Sequence, residues 1–335
     1  MSNKALLSVS GLGVEVQSRS GALRLTQDVC FDVQAGSTLG LVGESGSGKT
    51  ITSLALMGLL PRACRVAEGS VLLNGRELTS LSARELRSVQ ATEMAMIFQD
   101  GARSLHPAFK VGDQIAAVVR QHRGLSRAAA MRRAIEMLEA VGIREPAKRA
   151  AQYPHTFSGG MSQRAMIALA LVCEPRLLIA DEPTTALDVT VQAQILRLIK
   201  RLQREMGLGV LFITHDMGVV AEMCDRVAVM YAGQIVEDAE VVDLFDAPSH
   251  PYTTGLLGAI PDPSRRGQAF GFIPGTVPDV RDLPAGCRFA ARCPHRLEDT
   301  CDGQAPALRS VGNVKVRCAR TEDIQAERRR HECAA

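Results

Sequence analysis

Gly43-Glu44-Ser45-Gly46-Ser47-Gly48-Lys49-Thr50 has the residue types and spacing of a loop that cradles phosphates. Glycines let the backbone wrap closely around a phosphate chain, where side chains would block the approach. Amide N–H groups and the positive end of the helix that follows then face the anion. Lys49 is expected to reach the β- and γ-phosphates and Thr50 to ligate Mg²⁺. Gly43, Ser45, Gly46, Ser47, Gly48, Lys49 and Thr50 are therefore candidate ATP-binding residues. A second chemical pair stands at Asp181 and Glu182, after the apolar run LLIA. A carboxylate at the end of a buried strand is placed to help hold Mg²⁺, and the next one can polarise a water against the γ-phosphate. Taken alone, each feature could be ordinary, a glycine-rich turn or an acidic strand end; their co-occurrence favours nucleotide chemistry.

The elements that must position these groups follow from the hydrophobic pattern. STLGLVG before the loop is short, β-branched and apolar, and ITSLALMGLL after it is helical in character. Arg176–Ala180 reads as a buried strand, and so does LGVLFIT, which ends at His215. Ile195, Leu198, Ile199, Leu202 and Met206 fall on one face of a helix between them. Met131, Ile135, Leu138 and Val141 do the same in an arginine-rich helical stretch. Buried strands alternating with helices predict an α/β fold with a mainly parallel sheet and a helical insertion near residues 101–160. Past about residue 245 the composition changes, with prolines 248, 251, 261, 263, 274, 278 and 284 breaking any long helix. A large domain over 1–245 and a small C-terminal extension over 246–335 are expected.

Ser158-Gly159-Gly160-Met161 continues as SQRAMIALAL and reaches Asp181–Glu182 some twenty residues on. With the phosphate loop, this resembles the signature motif of ATP-binding cassette proteins. Ala186-Leu187-Asp188 resembles their D-loop, Gln99 the Q-loop glutamine and His215 the switch histidine. The resemblance implies a P-loop ATPase with Lys49, Glu182 and His215 as catalytic residues. It also implies that ATP is sandwiched between one chain's loop and the other's Ser-Gly-Gly, so that neither half hydrolyses ATP well alone. Gln99 would sense the γ-phosphate and relay its presence to a membrane partner. The stretches LVGESGSGKT, FSGGMSQR, ADEPTTALDVTVQAQIL, ITHDMGVVAEMCDRVAVMYAGQIVE and SHPYTTGLL resemble one branch over nearly the whole chain, including the extension. That branch comprises the ATPase subunits of oligopeptide and dipeptide importers, with their nickel-import relatives. Two permeases, a second cassette (a paralogue in this family) and an extracytoplasmic solute-binding protein are the implied partners, at the cytoplasmic face of the cell membrane. Val16 stands roughly where the family's adenine-stacking aromatic is expected; an aliphatic there gives up stacking of about 1–3 kcal/mol.

Nine cysteines are many for a chain of this kind, and Cys287, Cys293, Cys301 and Cys318 crowd the proline-broken extension. Their gaps are not those of a zinc ribbon. Resemblance to the same importers implies a [4Fe–4S] cluster on these four residues. Four thiolates also suit zinc, and a small module of reduced thiols is the third reading. His295 is a possible alternative ligand; Arg288, Arg292 and Arg296 could offset cluster charge. Cys30, Cys64, Cys173 and Cys224 are scattered and read as core or bystander thiols.

Composition excludes other classes. Apolar residues at 46% and charged residues at 22% argue against disorder. No apolar run approaches the ~18 residues that span a bilayer, and no basic-then-apolar leader opens the chain. A net charge of +3, no tryptophan and three tyrosines do not suit a nucleic-acid binder. A soluble cassette ATPase acting on DNA or ribosomes, the rival from another class, would be expected to show coiled-coil inserts, tandem cassettes or a basic face.

Overall fold

A computed structural model describes residues 5–18, 21–99, 104–185, 187–260 and 271–332, the last five of these without side chains. In chain order the strands are β1 (Leu7–Ser18), β2 (Gly21–Val33), β3 (Thr38–Val42), β4 (Cys64–Leu73), β5 (Arg76–Glu77) and β6 (Met94–Ile97). They continue as β7 (Leu177–Asp181), β8 (Gly209–Thr214), β9 (Arg226–Tyr231), β10 (Gln234–Glu240), β11 (Arg309–Val311) and β12 (Val314–Val316). Eight of them form one sheet in the order β11-β12-β10-β9-β3-β8-β7-β6. Its middle, β9-β3-β8-β7-β6, is parallel throughout. This is the expected α/β architecture.

Both faces of that middle are covered, which is why β3, β6, β7 and β8 are apolar almost without alternation and buried end to end. Period-two geometry still sorts their side chains between two cores. Leu178, Ala180, Val210 and Phe212 pack among the helices on one side. Leu177, Ile179, Leu211 and Ile213 pack on the other against Val9, Phe31 and Val71. Those last residues belong to a second sheet, antiparallel, in the order β2-β1-β4-β5. The sequence reading did not anticipate it. β1 carries Gly11 and Gly13 and shifts register near both, so its alternation is broken and no clean strand signal survives.

The helical insertion comprises helices Val111–Arg123, Arg127–Ala140 and Pro146–Ala150, followed by a 3₁₀ turn at Pro154–Thr156. Residues 101–103 at its expected start lie outside the described set. In the second helix Ala130, Ala134, Met137 and Leu138 are buried, while Met131 and Ile135 are only partly so. Of the anticipated stripe, Leu138 and Val141 are fully buried, and Met131 and Ile135 pack partly buried against the same core.

After residue 245 the chain stays joined to the main sheet. β12 pairs with β10, Glu237 opposite Val316. Tyr252 and Phe289 enter the main core, their rings 4.7 and 5.2 Å from that of Tyr231. Glu237, fully buried, accepts the N–H groups of Ser249 (2.6 Å) and His250 (2.9 Å). Arginines staple the two parts: Arg317 to Asp28 at 2.8 Å and to the Ile235 carbonyl at 2.9 Å, and Arg288 to Gln27 and the Ala232 carbonyl. Among the described residues no helix is long and apolar enough to cross a membrane.

Candidate active site

The phosphate loop springs from the buried end of β3 into helix Lys49–Met57. Two glycines are demanded by its path. Gly43 has φ +154°, and a Cβ there would lie 2.1 Å from the Met230 carbonyl oxygen. Gly48 caps the helix at φ +106° with no side-chain partner for the first N–H groups, which leaves them to an anion. Lys49 is 6% exposed and donates to the Gly43 carbonyl (2.7 Å), the Glu44 carbonyl (2.9 Å) and Ser47 Oγ (3.3 Å). Burial lowers its pKa, against the fields of Glu182, Asp181 and Glu44.

Asp181 closes β7 at 1% exposure, and its Oδ1 has no hydrogen-bond partner. Burial raises its pKa, opposed by the Thr50 and Ser53 hydroxyls and by Lys49. An orphaned carboxylate oxygen beside a threonine hydroxyl is a donor set suited to a hard cation. Mg²⁺ fits Thr50 and Asp181 on that ground.

Glu182 is held from three directions. Its Oε2 accepts from Gln99 Nε2 and from Thr185 Oγ1, both at 2.9 Å, and its Oε1 lies 3.1 Å from His215 Nδ1. Burial would raise its pKa, but His215, Thr185 and Lys49 together hold it below the ordinary carboxylate value. The carboxylate is thus ionised and oriented, as a base must be. Its backbone has φ +47°, a left-handed conformation that costs a non-glycine on the order of 1–2 kcal/mol. The Glu182 N–H to Ile213 carbonyl bond at 2.9 Å fastens that turn to β8. Gln99, Glu182 and His215, separated by as many as 116 residues of chain in the expected motif set, therefore meet at one point.

A cavity of about 400 Å³ opens over these groups, lined by Ser45, Gly46, Gly48, Lys49, Thr50, Gln99 and Glu182. Leu25, Pro278, Val280 and Leu283 complete its apolar wall. Val16, where the base contact was expected, is not on that wall: it pairs with Leu23 and Cys64 within the antiparallel sheet. Leu25 stands there instead, because β2 rather than β1 is the strand next to the loop.

Ser158, Gly159 and Gly160 are not brought to this cavity. Ser158 caps helix Gly159–Leu171, accepting from the Met161 N–H at 3.3 Å, and the start of that helix faces solvent. A Cβ on Gly160 would meet Val191 at 2.9 Å, so this glycine permits close packing on helix Val189–Met206. Asp188 caps that second helix through the Val191 N–H. Ala186 lies outside the described residues.

The four C-terminal cysteines do converge. Cys287, Cys293, Cys301 and Cys318 line one small apolar cavity with His295, Phe289 and Arg320. Burial pushes the Cys287 and Cys293 thiols up to about 11, and the neighbouring thiols add to the shift. Arg320 Nε is buried there without a hydrogen-bond partner. Among the described residues no three His, Cys, Asp or Glu side chains are gathered as around a single metal ion. Arg288 and Arg292 turn away from the thiols toward the nucleotide half, and Arg296 pairs with Asp302. Cys173 and Cys224 are buried core thiols, the latter pushed up to about 12 by burial.

The family described as ABC transporter matches residues 26–185, and the oligopeptide/dipeptide transporter C-terminal region matches 236–301. The oligopeptide transport ATP-binding protein OppD of Salmonella typhimurium is 50% identical over 93% of this chain and 92% of its own. The dipeptide transport ATP-binding protein DppD of Bacillus subtilis is 48% identical over 90% of each. The chain belongs to the ABC transporter family, in its oligopeptide/dipeptide branch. A solved dimeric ABC transporter cassette superposes with a TM-score of 0.62 at 25% identity, over 70% of this chain and 98% of that one. As an ABC ATPase, the protein hydrolyses ATP.

Thr185, Leu25, Pro278, Val280 and Leu283 escaped the sequence reading. Thr185 sits three residues after Glu182, a spacing that offered a signal. The other four are apolar residues without a motif, and only tertiary folding brings them to the cavity.

Proposed function

We propose that the protein is the ATP-hydrolysing subunit that energises peptide import across the cytoplasmic membrane. The observation that carries this reading is the grip of Gln99, Thr185 and His215 on Glu182 at the rim of the Lys49 cavity. Similarity over nine-tenths of the chain to oligopeptide and dipeptide transport proteins supports peptides as the cargo.

In this reading the loop amides and Lys49 bind the β- and γ-phosphates of ATP, with Gly43, Ser45, Gly46, Ser47, Gly48 and Thr50 shaping the cradle. Mg²⁺, held by Thr50 and Asp181, would offset phosphate charge. Glu182 draws the proton from the attacking water, and His215 orients Glu182 and faces the γ-phosphate. The solvent-facing Ser158-Gly159-Gly160 terminus of one chain completes the site of a second cassette. Gln99 reports the γ-phosphate toward permease subunits, which contact the adjoining stretch near His106. Two permeases, a paralogous cassette and a solute-binding protein complete the importer, with this subunit on the cytoplasmic face.

The cysteine cavity is read as a structural [4Fe–4S] site on Cys287, Cys293, Cys301 and Cys318. What supports this reading is that four thiols line one apolar cavity, with Arg320 beside them. A bound cluster would cross-link a segment that has little core of its own.

Affinity purification from native membranes tests the assignment. Co-purification of two permeases and a second cassette, with ATPase activity raised by peptide-loaded binding protein, is the expected result. Capture of ribosomal protein or DNA alone would overturn it.

A further inference from the structure

One wall of the nucleotide cavity does not come from the cassette motifs. Pro278, Val280 and Leu283 belong to the C-terminal extension, yet they line the same space as Lys49 and Thr50. The extension also reaches the phosphate loop directly. Arg292 is 7% exposed, and its Nη1 and Nη2 each lie 3.0 Å from a carboxylate oxygen of Glu44. The same guanidinium holds the extension's own backbone, with Nε donating to the Pro274 carbonyl at 2.7 Å and Nη2 to Gly275 at 3.3 Å. Its carbon sits 5.7 Å from the centre of the Tyr231 ring. Tyr252, also from the extension, accepts the Glu44 N–H at 2.9 Å.

Glu44 poses a physical problem that Arg292 solves. It is an acidic residue inside a loop built to receive a polyanion, and its carbonyl is one of the three acceptors of Lys49 Nζ. An uncompensated carboxylate there would repel the phosphates and compete for Lys49. A buried, bidentate guanidinium cancels the charge and fixes its direction, since the arginine fork matches a carboxylate. Leaving the buried Arg292 without its partner is costly.

We propose that Arg292 is a positioning residue for ATP: it neutralises and holds Glu44, and it anchors Pro274–Leu283 as a wall of the nucleotide cavity. The C-terminal extension is then part of the ATP site. This rests on ATP being the ligand of that cavity.

Mant-ATP titration of the full-length chain tests it, with thermal melting run alongside. Arg292→Ala is expected to weaken affinity about tenfold, and Arg292→Lys less, since one point charge remains. The decisive variant is Arg292→Ala with Glu44→Gln, which removes the stranded charge and should recover most of the lost affinity. A double variant as weak as Arg292→Ala, or a lowered melting temperature with unchanged affinity, would overturn the proposal. If Arg292→Ala fails to fold, Leu283→Asp places a charge on the half-exposed wall and should weaken binding about fivefold; unchanged affinity would count against the wall. Lys49→Ala separates the two readings. Normal affinity in Lys49→Ala removes ATP from the cavity altogether, whereas weakened Lys49→Ala beside unaffected Arg292 and Leu283 variants removes only the extension's role.

Discussion

The nucleotide cradle and the cysteine cavity both gather titratable side chains, and they treat charge in opposite ways. Around Lys49 two carboxylates are paired and aimed: Glu182 is held below its ordinary pKa by His215 and Thr185 after burial is overcome, and Glu44 is matched by Arg292. Around Cys287 burial wins instead, and the thiols of Cys287 and Cys293 are pushed up to about 11, protonated at neutral pH. The loop of the first region hangs on a parallel sheet packed on both faces. The second has a 3₁₀ turn at Ala290–Arg292 and a four-residue helix at Glu298–Cys301, so it borrows order from Tyr231, Tyr252 and the stapling arginines. A preorganised site can do chemistry, whereas a borrowed one gains most from a cross-link.

The sharpest way to break that contrast lies in the cradle. Glu182→Gln should lower hydrolysis in the assembled complex by ~10²–10⁴, since a positioned base is lost while the phosphate contacts stay. Nucleotide affinity should hold and ATP should stabilise the cassette dimer; near-normal turnover would remove Glu182 from its role. Lys49→Ala should act on binding itself, raising the dissociation constant of a fluorescent ATP analogue by about 10–100-fold, the range for a lost charge-assisted contact. Equilibrium titration decides it.

The cysteine cavity should respond in stability rather than chemistry. Replacing Cys287 by serine should lower the melting temperature by several degrees while leaving affinity for ATP within about twofold. If the site holds a cluster, anaerobically purified wild-type protein is brown with about four irons per chain, and the variant is not. One zinc in colourless protein would point to a zinc site, and metal-free folded protein would remove both.

The smallest expected effect concerns the seam between the two regions. His250 is buried, and burial pushes its pKa down to about 3, against a hydrogen bond to the Arg317 backbone that favours the charged form. It stays neutral in the folded chain, Nδ1 accepting the Tyr252 N–H at 3.0 Å, while the unfolded chain takes up a proton near pH 6.5. Stability from this group is therefore complete above about pH 6.5 and falls as pH drops toward 3. His250→Asn keeps a helix cap and removes the titration. Its melting temperature should depend less steeply on pH between 6.5 and 4; an identical slope would clear His250.

The sequence by itself determined the phosphate loop, the strand carrying Asp181 and Glu182, and the parallel middle of the sheet. Each depends on local spacing: glycines at fixed offsets, or apolar runs buried on both faces. The convergence of four cysteines was legible too, from their crowding in a proline-broken segment. The antiparallel sheet was not, because bulges at Gly11 and Gly13 break the alternation that marks a strand. Val16 stands off the cavity lining because its place depends on which of two paired strands lies next to the loop, a matter of register. Only tertiary structure decided that Gln99 and His215 share one carboxylate, and that Arg292 meets Glu44 across 248 residues. Pairing at such separation leaves no periodic trace in the chain, since it is set by how the sheet and the extension pack.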